Sequence, residues 1–135
     1  MTRPTKEKHI LFLLSVAAFG WLIPGAGHLF IKEKTRSIII FITVTLTFCT
    51  GIYIGSIGVI DSVGQTPWYV YFAQAMTSPL VIALGHYTAG GGFPVFGWPN
   101  EFGQIYTSTA GLLNLLCIIN AVYLANLLSL EPTGE

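Results

Sequence analysis

Long apolar stretches, separated by short polar segments or by glycine and proline, dominate the chain. Four of them stand out, at residues 10–31, 37–60, 68–89 and 106–130. A helix needs about 20 mainly apolar residues to cross a bilayer, because each residue adds about 1.5 Å across a hydrocarbon core of about 30 Å. The pattern therefore predicts an all-α, polytopic transmembrane protein that forms a single domain, with three to four membrane-spanning helices.

The first stretch is interrupted at Pro24, Gly25, Ala26 and Gly27. Proline removes a helical hydrogen bond and glycine loosens the backbone, so the helix is expected to break there. The uninterrupted part, residues 10–23, is short for a span and has the length of a re-entrant segment. Two alternatives follow: four full crossings, or a first segment that enters the membrane and returns, followed by three crossings.

The basic residues favour the re-entrant alternative. Arg3, Lys6 and Lys8 precede the first stretch, and Lys32, Lys34 and Arg36 follow it. Cytoplasmic loops are enriched in lysine and arginine. Four crossings would divide the two basic groups equally between the membrane faces, whereas a re-entrant first segment would place both in the cytoplasm. The N-terminus is then cytoplasmic and, after three crossings, the C-terminus lies outside.

A cleaved signal peptide is another interpretation of the same segment. A basic start and an apolar core precede the small residues at 25–27, which suit a cleavage site. Cleavage there would leave Lys32, Lys34 and Arg36 on the exported side, directly beside a span. That arrangement contradicts the cytoplasmic preference of basic residues, so we favour a retained segment.

The low charge of the chain narrows the function classes. Only 9% of the residues are charged and the formal net charge is zero. A soluble domain carries about 25% charged residues, so this composition is typical of a chain surrounded by membrane lipid. Nucleic-acid binding depends on a basic surface. We therefore expect no nucleic-acid partner.

Small residues recur at helical spacing in two of the stretches. Gly51 and Gly55 lie four residues apart in the second stretch. One helical face of the fourth stretch carries Ala110, Asn114, Cys117, Ala121 and Ala125. Small residues let helix backbones approach closely in lipid. These positions are predicted to be helix-packing sites, facing helices of the same chain, a second copy or another subunit.

Asn114, Asn120 and Asn126 all lie in the fourth stretch. An amide inside a membrane needs hydrogen-bond partners. Hydrogen bonds that link helices are the structural interpretation of these side chains. A polar path for a substrate, as in a small transporter or channel component, is the alternative.

Residues 90–103 contain glycine runs and prolines that predict an irregular loop. Its aromatic residues are typical of a membrane interface, and Trp68, Tyr69 and Tyr71 are expected at the opposite face, at the other end of the third helix. The alternative for this aromatic loop, which includes Phe93, Phe96, Trp98 and Phe102, is a docking surface for a partner protein.

Few residues suggest chemistry. His28 and His86 are expected near the same membrane face, which makes them candidate ligands of a metal or a haem. Cys49 and Cys117 lie inside apolar runs without metal-ligand spacing, so they are interpreted as small buried hydrophobes. The sequence contains no nucleophile next to a base at a recognisable spacing. We therefore expect neither an enzyme nor a resident cofactor.

Two segments resemble known sequences. Residues 24–30, Pro-Gly-Ala-Gly-His-Leu-Phe, followed by Lys34 and Arg36, resemble the opening of many small bacterial membrane proteins and of membrane hairpin domains with a Gly-x-His signature. Residues 100–107 and 110–116 are similar to the C-terminal part of an uncharacterised family, a domain of unknown function in planctomycete-type bacteria. The resemblance implies a multi-pass protein of the bacterial inner membrane and carries over no functional residue.

The expected function is that of a small, non-catalytic accessory or scaffolding subunit of a larger membrane complex. The paired small-residue stripes and the aromatic loop favour it. A transporter or channel component is the first alternative. An electron-transfer subunit that binds haem or metal through His28 and His86 is the second.

Overall fold

The computed structural model describes residues 6–61, 66–89, 92–93 and 97–130. In these ranges all regular structure is helical, as the sequence predicts. The elements are α1 (Lys6–Leu22), α2 (Ala26–Phe30), α3 (Lys34–Gly55), a short 3₁₀ helix (Ile57–Val59), α4 (Trp68–Ala75), α5 (Pro79–Ala89) and α6 (Trp98–Leu130).

The longest helix, α6, is the centre of the fold, and α1, α3 and α4 all contact it. Both α1 and α3 run antiparallel to α6. His9, near the start of α1, lies 3.0 Å from Asn126 near the end of α6. Gly55, at the end of α3, lies against Gly103 near the start of α6. The bundle therefore has one end where α1 and α3 begin and α6 finishes, and a second end where α3 finishes and α6 begins.

We call the first of these ends the basic end, because it carries the basic residues that the structure describes. They are Lys6, Lys8, Lys32, Lys34 and Arg36. The other end is called the far end. Arg3 lies outside the described residues. The described start of α1 and the described end of α6 share the basic end. The C-terminal helix therefore does not finish opposite the start of the chain, as the re-entrant alternative with three crossings implied.

The predicted break in the first stretch is present, since α1 ends at Leu22 and α2 begins at Ala26. Gly25 turns the chain with a φ of 85°, a left-handed conformation that suits glycine. From there α2 returns toward the basic end, where His28 meets Asn120 and the chain enters α3. The first stretch is therefore a helical hairpin, α1–α2, whose turn lies inside the bundle.

The stretch 68–89 is not the single helix that the sequence predicts. It is divided at residues 76–78 into α4 and α5, which fold back on each other. The Tyr71 hydroxyl donates to the Ile82 carbonyl at 3.5 Å, and the Thr88 hydroxyl donates to the Ile60 carbonyl at the far end. Pro79 explains the division, because it has no N–H to bond the preceding turn and its ring disfavours a helical residue before it.

The division also relocates the aromatic residues of α4. The Gln104 amide, near the start of α6, donates at 3.5 Å to Thr66, just before α4. Trp68 therefore lies at the far end together with Trp98, and not at the opposite membrane face as expected. Phe96 lies outside the described residues.

Helix α6 begins eight residues before the predicted stretch. It starts at Trp98, directly after Gly97, so part of the predicted loop 90–103 is helical. Pro99 is compatible with this start, because the N–H groups of a first helical turn have no intrahelical partner to lose. The glycines and prolines therefore mark the boundary of the helix and do not exclude it.

Two of the helices, Lys34–Gly55 and Trp98–Leu130, are long and apolar enough to cross a membrane. Both expose large apolar side chains, among them Ile39 at 58% and Leu116 at 63%. These helices support a membrane location. By length and composition, they are candidates for two of the three to four predicted crossings.

Candidate functional site

Helices α3 and α6 meet through glycine at the far end. A Cβ at Gly51 would lie 2.7 Å from Thr107 Cγ2 and 2.9 Å from the Thr107 backbone nitrogen. A Cβ at Gly103 would lie 2.8 Å from the Gly55 Cα. The two predicted packing glycines, Gly51 and Gly55, thus face a matching glycine and threonine on α6, and the helices touch at backbone distance.

The predicted stripe on α6 faces the interior of the bundle. Ala110, Asn114, Ala121 and Ala125 are buried, whereas Cys117 is half-buried. Ala121 and Ala125 form a small apolar cluster with Val16 of α1. The buried face also includes three positions that are not among the predicted packing residues, Gly103, Thr107 and Gly111.

Asn114 is the central contact of the fold. It is the middle residue of α6 and fully buried. Its amide nitrogen lies 3.3 Å from the carbonyl oxygen of Gly20, and 3.0 Å from those of Met76 and Thr77. Gly20 belongs to the last turn of α1, and Met76 and Thr77 form the turn between α4 and α5. One side chain therefore serves both helix breaks, and we call this meeting point the hairpin junction.

Two further bonds join the hairpins at the junction. The Trp21 indole N–H donates to the Ala75 carbonyl at 3.0 Å, and the Ser78 hydroxyl donates to the Leu22 carbonyl at 3.1 Å. The last carbonyls of a helix have no partner within it. Here the carbonyls at the ends of α1 and α4 accept hydrogen bonds from side chains of the other hairpin. Both breaks can therefore lie inside an apolar bundle.

A second polar contact, between Gln74 of α4 and Thr107 of α6, lies on the far-end side of the junction. Gln74 is fully buried, and its amide nitrogen donates to the Thr107 hydroxyl at 2.8 Å and to the Val59 carbonyl at 3.3 Å. Thr107 in turn donates to the Gly103 carbonyl at 2.8 Å. Gln74 was not singled out from the sequence, although a glutamine between two alanines in an apolar run was a visible signal.

Three buried oxygens along the α4–α6 contact have no hydrogen-bond partner: Gln74 Oε1, Thr77 Oγ1 and Asn114 Oδ1. The Gln74 side chain contacts Thr107 and the Thr77 hydroxyl lies against Gly111, so with Asn114 the three side chains follow successive turns of α6. Each amide oxygen is an acceptor, and the hydroxyl both donates and accepts. This row of oxygens has the chemistry to hold water.

Three asparagines of α6, Asn114, Asn120 and Asn126, contact the first hairpin. Besides Asn114, the Asn120 side-chain oxygen lies 3.3 Å from His28 Nε2, and the Asn126 oxygen lies 3.0 Å from His9 Nε2. In both pairs the oxygen accepts the imidazole N–H. The amides thus tie α6 to α1 at two levels and to α2 at one.

A groove lies between α3 and α6 on the basic side of the junction, where α2 sits between the two helices. Its volume is about 570 Å³. Aliphatic side chains form most of its walls, and three polar side chains line it as well. The lining residues are His28, Arg36, Ile39, Ile40, Leu113, Leu116, Cys117 and Asn120.

The structure does not bring His28 and His86 together. His28 is buried and bonded to Asn120, between the junction and the basic end. His86 is exposed near the end of α5, two residues before Thr88, which bonds Ile60 at the far end. The two histidines lie on opposite sides of the junction, so the expectation of a shared face is wrong. In the described ranges no group of three His, Cys, Asp or Glu could hold a metal ion.

The two cysteines are both free thiols. Cys49 is exposed on α3, so its interpretation as a buried hydrophobe is wrong, whereas Cys117 is half-buried. Cys49 lies near the end of α3 that reaches the far end, and Cys117 lies on the other side of the junction.

Comparison with known proteins gives one family. The profile of a family described as "Family of unknown function (DUF6677)" matches residues 15–131, which includes the second half of α1, the helices α2 to α6, the junction and the groove. No curated protein and no solved structure matches the chain. Because the match extends over most of the sequence, the chain belongs to this family of unknown function, DUF6677.

Proposed function

We propose that the chain is a multi-pass protein of the bacterial cell membrane, and that it acts as a non-catalytic accessory or scaffolding subunit of a larger membrane complex. In this proposal α3 and α6 cross the bilayer. The hairpins α1–α2 and α4–α5 enter it from opposite faces and meet at Asn114. The basic end is cytoplasmic, because lysine and arginine concentrate on that side of membrane proteins.

The topology rests on where the helix ends lie. The α1–α2 hairpin starts and finishes at the basic end, and Thr66 and Thr88 place both ends of the α4–α5 hairpin at the far end. Irregular backbone at membrane depth is tolerated only where it is buried in protein or faces water. The bonds from Trp21, Ser78 and Asn114 to the carbonyls of the breaks meet that requirement.

The outward face of α3 is the observation that carries the subunit role. Thr43 and Thr50 are exposed and Thr47 is half-buried, at spacings of four and three residues. The hydroxyls of Thr47 and Thr50 donate to carbonyls one turn earlier, each at 2.8 Å, so their polarity is satisfied within the helix. Small, weakly polar residues at this spacing are typical of a face that contacts another membrane helix, whereas lipid favours large aliphatic residues.

A pull-down in mild detergent tests the proposal. The tagged chain is purified, and the proteins that accompany it are identified by mass spectrometry. We expect a stoichiometric set of membrane partners with the natural chain. The double variant Thr47→Leu/Thr50→Leu should lose these partners, because two bulky side chains replace the small face.

The matched control is Thr109→Leu, which makes the same replacement at an exposed position of α6. It should retain the partners. Recovery of the natural chain alone, or only as a homo-oligomer, would contradict the subunit role. Equal retention by both variants would exclude the outward face of α3 as the interface.

A small transporter or channel component is the second candidate. It is favoured by the two helix breaks that meet at mid-bundle and by the three unpartnered oxygens beside them, since transporter sites commonly lie at discontinuous helices. In this case Thr77→Cys should react with a water-soluble thiol reagent in a chain without native cysteines. Val44→Cys, buried on α3, is the control that should stay unreactive.

A further inference from the structure

The groove between α3 and α6 results from the way the two helices are separated. At the far end glycines hold them at backbone distance. Toward the basic end α2 contacts both helices and stands between them. The space that remains beside α2 is the groove of about 570 Å³, and in the proposed orientation it opens to the lipid near the cytoplasmic face.

The walls of the groove are aliphatic. Ile39 and Ile40 line it from α3, and Leu113 and Leu116 line it from α6. Ile39 and Leu116 are largely exposed, at 58% and 63%, so their side chains are available to a ligand. A surface of this kind suits a hydrocarbon chain that lies along the two helices.

The polar side chains that line the groove are His28, Arg36 and Asn120. His28 is 3% exposed and engages the Asn120 oxygen, which leaves the N–H donors of that amide to a ligand. Arg36 Nε lies 3.7 Å from Glu33 Oε2, so the terminal N–H groups of the guanidinium remain for a second acceptor. A planar guanidinium binds phosphate through two parallel N–H bonds.

The charge around this site is positive. Lys32 and Lys34 are exposed beside Arg36, and Glu33 is the one acidic residue between them. A basic cluster at the cytoplasmic edge of a membrane attracts anionic lipid, at about 1 kcal/mol for each lysine or arginine near the surface. The polar site, the aliphatic walls and the charge therefore suit the same kind of molecule.

We propose that the groove binds one anionic phospholipid, with its phosphate at Arg36 and Asn120 and an acyl chain along Ile39 and Leu116. The proposal rests on the membrane location in the proposed function, and it is independent of any partner subunit. A chain that does not fractionate with membranes would contradict the location, whereas the lipid experiment below addresses the groove alone.

Native mass spectrometry of the full chain tests the headgroup. The protein is released from nanodiscs that contain equal amounts of phosphatidylcholine and phosphatidylglycerol, and the retained lipids are counted. We expect one retained lipid, predominantly phosphatidylglycerol. Arg36→Gln should lower its occupancy by about fivefold, the scale of one basic contact. Lys8→Gln removes the same charge at the same end but outside the groove, and should have a smaller effect.

A second pair of variants tests the acyl chain. Ile39→Trp fills the groove, whereas Ile38→Trp makes the same change at a neighbouring position of equal exposure that does not line it. Only Ile39→Trp should displace the lipid. The proposal is overturned if the natural chain shows no preference for phosphatidylglycerol, if Lys8→Gln acts as strongly as Arg36→Gln, or if both tryptophan variants behave alike.

Discussion

The amide nitrogen of Asn114 lies 3.0 Å from the carbonyl oxygen of Met76, at the middle of α6 and at the turn of the α4–α5 hairpin. The same nitrogen reaches the Gly20 carbonyl in the last turn of α1. A single asparagine therefore bonds the backbone of two hairpins that approach it from opposite ends of the bundle. Its role is structural first, since the carbonyls that it serves would otherwise be buried without a donor.

Replacement of Asn114 by leucine should destabilise the fold. The side chains are similar in size, but leucine leaves the Gly20, Met76 and Thr77 carbonyls without this donor. A buried polar group without a partner costs about 1–3 kcal/mol, so a loss of that order is expected. Unfolding in mixed detergent micelles measures it. Asn126→Leu, which removes only the contact with His9, is the control, and an equal loss in both would contradict the central role of Asn114.

Two buried glycines, Gly51 of α3 and Gly20 of α1, should respond differently to replacement by alanine. Gly51→Ala should lose about 1–3 kcal/mol, because its methyl group would press on the Thr107 backbone, which cannot move away alone. Gly20→Ala should be close to neutral. Its methyl group would meet the Ile118 Cγ1 atom at 3.1 Å, which is a side-chain atom and not backbone, and alanine favours the helix. The free energy of unfolding of both variants, measured in the same detergent, tests these two expectations.

Alanine variants of Gly25 and Gly97 distinguish the cost of a left-handed backbone from the cost of steric crowding. Both have a positive φ, 85° and 75°. A Cβ at Gly25 would lie 2.5 Å from the Ser37 carbonyl oxygen, whereas a Cβ at Gly97 would meet nothing within 4 Å. Each alanine variant should lose about 1–2 kcal/mol from the left-handed backbone. Gly25→Ala should lose more, because it also pushes the hairpin turn away from α3. Equal losses would mean that the turn does not press on α3.

Much of the fold follows from local signals in the sequence. Pro24 and Gly25 interrupt the first stretch as predicted, because proline and glycine act on their own backbone and need no distant partner. The two long apolar stretches form α3 and α6 for the same reason, since length and apolarity are local properties. The basic residues on both sides of the first stretch favour a first segment that returns to the membrane face where it began. Those that the structure describes all lie at one end of the bundle.

The second hairpin was missed although its signal is present. Ser78 and Pro79 form a turn signal inside the stretch 68–89, and the Ser78 hydroxyl accepts the Leu80 N–H at 3.4 Å. The continuous apolar run around this turn signal nevertheless predicts a single helix. In lipid a run of this length is consistent with one helix or two, and only the partners of the freed carbonyls decide, which here come from Trp21 and Asn114.

The site itself could not be read from spacing. Asn114 and Gly20 are separated by 94 positions, and Asn120 and His28 by 92. The six-residue spacing of the asparagines gave no common face. They nevertheless contact one hairpin, Asn114 and Asn126 through α1 and Asn120 through α2.

Cysteine labelling across sealed membrane vesicles tests the opposed hairpins most directly. In a chain with Cys49→Ala and Cys117→Ala, single variants Trp68→Cys and Tyr87→Cys place thiols at exposed positions near the two ends of the α4–α5 hairpin. A membrane-impermeant maleimide should label both from the same face, and Lys8→Cys from the other. Labelling of Trp68→Cys and Tyr87→Cys from opposite faces would mean that residues 68–89 cross the membrane, and would contradict the junction at Asn114.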